Sequence, residues 1–77
     1  MTMKVIVKLI GPLIYKAGFS EKEFVLPVPA TPQDLLSRIA IDKAHPVIIT
    51  RNGKAVALAE HLEDGDRVAI SPLYSGG

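Results

Sequence analysis

The chain has no cysteine and no tryptophan, aromatic residues make up only 5% of it, and its net charge is +1 over 77 residues. Each scarcity excludes something. Without cysteine, neither a disulfide framework nor a thiolate zinc site can stabilise a domain this small, and any sulfur chemistry must use sulfur brought from elsewhere. With nine Lys and Arg against eight Asp and Glu, and no basic run interleaved with aromatics, there is no electrostatic footprint for nucleic acid. No apolar run approaches the roughly 20 residues of a membrane span. Met1-Thr2-Met3-Lys4 leads into an alternating segment rather than a continuous apolar one, which argues against a signal peptide and makes the cytoplasm the expected compartment.

What is present is aliphatic. Hydrophobic residues are 48% of the chain, so one small core of Val, Ile and Leu is expected. Met3, Val5, Val7 and Leu9 share one parity and predict a strand from Met3 to Ile10 that ends at Gly11-Pro12. Leu13 to Glu21 reads as a connection whose apolar residues pack over the end of the core. Phe24, Leu26 and Val28 alternate in a second strand, antiparallel to the first, and Pro27 and Pro29 limit it to a short or edge strand.

Thr31-Pro32-Gln33-Asp34 is a helix start: a capping hydroxyl, a proline suited to the first turn, and an acid positioned for a capping box. Leu35, Leu36 and Ile39 face the sheet, and Pro46 places the helix end between Ala40 and Ala44. Val47 to Arg51 predicts a third strand. Asn52-Gly53 then signals a type I′ hairpin, with a weak strand over Lys54 to Leu58. A single helical turn is expected at Ala59 to Leu62, a turn at Glu63-Asp64-Gly65-Asp66, and a last strand over Arg67 to Ser71 that Pro72 stops. The expected architecture is α+β, a mixed sheet of four to five strands with one main helix on one face. The predicted core is Val5, Val7, Phe24, Leu26, Leu35, Ile39, Ile49, Leu62, Val68 and Ile70.

Side chains suited to catalysis or metal binding do not assemble into a known pattern. His45 and His61 lack metal-ligand spacing, and the acids at Glu63, Asp64 and Asp66 lack the alternation of a calcium loop. The informative group is the terminal carboxylate after Leu73-Tyr74-Ser75-Gly76-Gly77. Two glycines without Cβ atoms let the backbone enter a channel too narrow for side chains. A carboxylate ionised at neutral pH is a poor electrophile, so it would need activation by another protein.

The Leu62-Glu63-Asp64-Gly65-Asp66-Arg67-Val68 run, the capped helix, the Asn52-Gly53 hairpin and the Ser75-Gly76-Gly77 end together resemble the ubiquitin-like β-grasp sulfur carriers of the MoaD/ThiS family. Ile10-Gly11-Pro12-Leu13 and Ala69-Ile70-Ser71-Pro72 look closer to the molybdopterin synthase small subunit than to the thiamine carrier. Departures fall at Ile10, where that subunit has an aromatic, at Ile14, where it has Arg, and at Leu73-Tyr74, where Pro and Val are expected.

The resemblance implies a β-grasp domain over residues 1–72 and a flexible tail over 73–77. It implies a carrier that is not itself an enzyme and binds no cofactor. An E1-like adenylyltransferase would use ATP to adenylate the Gly77 carboxylate, and a sulfur donor protein would convert the product to a thiocarboxylate. That group would then donate sulfur in molybdopterin synthesis with the synthase large subunit. Three alternatives stand beside this: sulfur donation to thiazole synthase for thiamine, conjugation of Gly77 to a lysine as a protein modifier, and a plain interaction module. Leu73, Tyr74, Ser75 and Gly76 would occupy the partner's channel. Ile48, Thr50, Ala69 and Ser71 are expected to form the docking face, on the outward parity of the third and last strands.

Overall fold

The computed structural model describes residues 1–39, 41 and 46–73. The opening strand β1 (Thr2–Leu9) alternates as its sequence predicts, with Met3, Val5, Val7 and Leu9 buried and Thr2, Lys4 and Lys8 exposed. It pairs antiparallel with β2 (Glu21–Pro27), Val5 opposite Phe24 and Met3 opposite Leu26. On its other side it pairs in parallel with the final strand β5 (Arg67–Pro72), Val7 beside Val68 and Leu9 beside Ile70. The third strand β3 (Val47–Arg51) runs antiparallel to β5 and turns back into the two-residue β4 (Lys54–Ala55). The sheet order is therefore β2-β1-β5-β3-β4, a ubiquitin-like β-grasp with the two chain-terminal strands side by side at its centre. Pro27 ends an edge strand, where a missing amide donor costs no ladder bond.

Between β1 and β2 the chain forms a short helix, α1 (Leu13–Ala17), where the sequence suggests only a connection. Leu13 is buried, Ile14 and Phe19 pack against the core, and Gly18 at φ 85° closes the helix, its amide donating to the Ile14 carbonyl at 2.8 Å. The positive φ is what makes glycine suitable there. The main helix α2 (Pro32–Arg38) starts as predicted. The Asp34 amide donates to Thr31 Oγ1 at 3.3 Å, and the Thr31 amide to Asp34 Oδ2 at 2.8 Å. Its end is earlier than expected. Ile39 leaves helical geometry (φ −96°, ψ 139°), and Ile39 and Ile41 are both buried.

Nine of the ten predicted core residues are buried; the tenth, Phe24, is half-buried against the cluster and tilted against Phe19. Met3, Leu9, Leu13, Ala30 and Ile41 complete the core, and both helices pack on the same face of the sheet. Asn52 (φ 52°) and Gly53 (φ 86°) make the positive-φ pair a type I′ turn requires. The strand after it stops at Ala55 rather than Leu58, because the Leu58 carbonyl turns away to accept the Gln33 amide at the start of α2. The expected helical turn at Ala59 to Leu62 is instead a reverse turn, with the Glu60 amide donating to the Ala57 carbonyl. Leu62 still enters the core, held by its amide to the Ala30 carbonyl at 2.8 Å.

Candidate functional site

Two ends of the sheet are built by different means, and the C-terminal tail leaves from one of them. At the other end lies the Glu63-Asp64-Gly65-Asp66 loop. Asp64 Oδ1 accepts the Lys4 amide at 2.7 Å, the Gly65 amide donates to the Lys4 carbonyl at 2.7 Å, and the Ile6 amide donates to the Asp66 carbonyl at 3.0 Å. Asp66 is only 5% exposed, so its carboxylate must be satisfied by protein groups. Oδ2 accepts the Glu63 amide at 2.8 Å and faces Arg51 Nε at 3.3 Å, while Oδ1 accepts Asn52 Nδ2 at 3.1 Å.

Arg51 also donates through Nη1 to the His61 carbonyl at 3.0 Å and lies 3.5 Å from Glu60 Oε2. Asn52 completes the network by accepting the Arg67 amide at 2.9 Å through Oδ1. Asp64 and Asp66 are thus committed to backbone amides and to Arg51, which explains the Leu-x-Asp-Gly-Asp-x-Val run as a structural device. Among the described residues no group of three or more His, Asp or Glu side chains could hold a metal ion. The sequence reading treats this segment as an ordinary turn and misses the burial of Asp66.

At the tail end, β5 is flanked on both sides. Ile10 donates its amide to the Ile70 carbonyl at 3.0 Å from the β1 side, and Leu73 donates to the Pro46 carbonyl at 3.1 Å from the β3 side. The sheet therefore holds the chain one residue beyond β5. The expected docking residues come together on the face away from the helices: Ile48 lies opposite Ser71, and Thr50 opposite Ala69. Ile48 is 42% exposed, while Thr50, Ala69 and Ser71 are half-buried.

Two more apolar side chains flank this exit, Ile10 at 44% and Leu73 at 49% exposed. Ile10 follows the outward parity of Ile6 and Lys8, a signal already present in the sequence but not used to place it in the site. Of the expected channel residues only Leu73 is described; Tyr74, Ser75, Gly76 and Gly77, the expected working group, lie outside the described residues.

The ThiS family profile matches residues 7–77, from the middle of β1 to the terminal glycine. The chain belongs to the ThiS family. Among solved structures it is similar to a Pyrococcus furiosus protein provisionally named molybdopterin converting factor, subunit 1, with 32% identity, TM-score 0.79, and coverage of 91% of this chain and 97% of that one. It is also similar to SAMP1, the small archaeal modifier protein 1 of Haloferax volcanii, at 27% identity and TM-score 0.75, covering 96% and 99% of the two chains. A complex of subunits 1 and 2 of the Helicobacter pylori molybdopterin-converting factor matches at 22% identity and TM-score 0.61 over 97% and 100%, a likeness of fold. A search of curated proteins finds no match. As a ThiS-family protein the chain is a ubiquitin-like sulfur carrier or modifier, a role in which it supplies no catalytic side chains. No helix among the described residues is long and apolar enough to cross a membrane.

Proposed function

We propose that the chain is activated at its C-terminus by a cytoplasmic E1-like adenylyltransferase, and that the Gly77 carboxylate is its working group. A carboxylate oxygen of Gly77 attacks the α-phosphorus of ATP bound by the partner, pyrophosphate leaves, and an acyl-adenylate forms. Every catalytic side chain in that step belongs to the partner. The carrier contributes position: residues 1–72 act as the docking body, and residues 73–77 thread into the partner's channel. The observation that carries this reading is the place of β5, which leads the chain out of the middle of the sheet beside exposed Ile10, Ile48 and Leu73.

Of the fates open to the activated carboxyl, protein modification stands first. A lysine amine displaces AMP, directly or after transfer to a thiol of the activating machinery, and an isopeptide bond forms at Gly77. The likeness to small archaeal modifier protein 1 supports this over nearly the whole chain. So do Ile10, Ile14 and Leu73-Tyr74, which depart from the synthase-subunit pattern that by sequence alone puts molybdopterin first.

The second fate, sulfur donation in molybdopterin synthesis with a synthase large subunit, is favoured by the 32% identity to the Pyrococcus furiosus protein. There, a persulfide sulfur of a donor protein displaces AMP, and a thiol cleaves the resulting S–S bond to leave the thiocarboxylate. Intact-mass analysis of the chain and its adducts from the native host separates these fates. Species carrying this chain plus a substrate protein, less one water, are expected for modification. A gain equal to one oxygen replaced by sulfur marks the carrier. A chain that stays unmodified alongside the adenylyltransferase and ATP contradicts both.

A further inference from the structure

The open face of the sheet is not evenly filled. Ala69 sits at its centre on β5, with Lys8 beside it on β1 and Thr50 opposite it on β3. A methyl group among longer side chains leaves a depression of about 470 Å³, walled by Ile6, Lys8, Glu21, Thr50 and Arg67. Two of these walls are cations. Lys8 pairs with Ala69 and Arg67 with Ile6 across the β1–β5 ladder, so Lys8 and Arg67 are diagonal neighbours on one face, within reach of a common partner. Both are exposed, and neither head group joins an ion pair among the described residues. Glu21, the wall's one acid, stands on the edge strand β2 directly opposite Lys8, with Glu23 opposite Ile6. The hollow is therefore acidic at its β2 rim and cationic along β1 and β5, and on that side it adjoins the apolar collar of Ile10, Ile48 and Leu73.

We propose that this depression receives an Asp or Glu side chain from the activating enzyme, with its stem over Ala69 and Ile6 and its carboxylate between Lys8 and Arg67. The inference rests on the reading that this face docks an adenylyltransferase, and it names the chemistry of what docks there. Shape and charge both point to such an occupant. An alanine-floored hollow admits a protruding side chain, and two unpaired cations at its wall favour an anion at the tip. Seating that carboxylate fixes the rotation of the carrier about β5. The tail is thereby aimed as well as held.

The test uses the full-length chain and the native host's E1-like adenylyltransferase, read by ATP–pyrophosphate exchange as a function of carrier concentration. Lys8→Glu and Arg67→Glu are each expected to raise the KM for carrier about tenfold, with kcat little changed, because a buried charge pair becomes a repulsion. Ala69→Leu fills the hollow without changing charge and is expected to raise KM similarly. Lys4→Glu, on the same face but outside the hollow, serves as the charge control and should change KM by less than about twofold.

Thermal melts establish that each variant folds. Should one fail, Lys8→Gln and Arg67→Gln read the same contacts with smaller increments. Equal effects of Lys4→Glu and Lys8→Glu would mean diffuse attraction and overturn the proposal. Unchanged KM in Lys8→Glu, Arg67→Glu and Ala69→Leu, with Ile48→Asp still damaging, would sink the acidic occupant while leaving the docking face in place. If wild-type carrier supports no exchange at all, the underlying reading fails first.

Discussion

The two ends of the sheet invert one another's chemistry. At the Asp66 end a nearly buried carboxylate, Arg51, Asn52 and three hydrogen bonds between β1 and the 63–66 loop tie β1, β3 and β5 together. At the tail end the same three strands meet, among the described residues, through backbone bonds and leave Ile10, Ile48 and Leu73 exposed. Polar satisfaction is spent where the chain is fixed, and apolar surface is left at the proposed docking end. The residues that most mark the family in sequence, the Leu62 to Val68 run, therefore begin at the opposite end of β5 from Leu73. They keep the central strand in register, and register decides where the tail emerges.

That contrast can be broken by substitution, beginning with the core both ends share. Leu35 is fully buried, and Leu35→Ala is expected to cost about 2 to 5 kcal/mol. A domain of this size has a total stability of roughly 5 kcal/mol at the low end, so the variant should lie near unfolding. A melting temperature that barely moves would show that α2 is not packed as described. Asp66→Ala comes next, at about 2 to 4 kcal/mol, since it strips the Glu63 amide and Asn52 of their acceptor and Arg51 of its buried partner. Urea unfolding reads this directly, and a change under about 0.5 kcal/mol would reduce the network to surface decoration.

Thr31→Ala removes half of the capping box and is expected to cost about 1 kcal/mol in the same assay. At the tail end the order reverses. Ile48→Asp should leave stability within about 0.5 kcal/mol, because the side chain is 42% exposed, yet weaken binding to the adenylyltransferase. Unchanged affinity in a titration would remove Ile48 from the docking face.

How far the fold was legible in the sequence follows the range of the forces involved. Parity in β1, the Thr31 cap and the Asn52-Gly53 turn are local chemistry, and each stands where the residues put it. The short helix α1 was not legible, because five residues are too few for a 3.6-residue period and Gly11-Pro12 reads as a turn. Its signals were Leu13 and Ala17 four apart, followed by Gly18. The early end of α2 was decided by the core, which takes both Ile39 and Ile41. Asp66 carried no local mark of burial, since its partner Arg51 is distant in sequence and meets it only once β3 and β5 are paired. At the site, Ile48, Thr50, Ala69 and Ser71 followed from strand parity, whereas the hollow over Ala69 depended on which long side chains surround it.

In the proposed activation the rest of the chain holds and aims the Gly77 carboxylate. Deleting Gly77 draws the carboxylate back by one residue, about 3.5 Å, a displacement that in-line attack on a phosphorus does not tolerate. The most direct measurement is ATP–pyrophosphate exchange by the cognate adenylyltransferase, comparing the full chain with the chain lacking Gly77 and checking that both melt alike. Exchange is expected with the full chain and none above background with the truncated one. Exchange at the wild-type rate by the truncated chain would contradict the proposed activation.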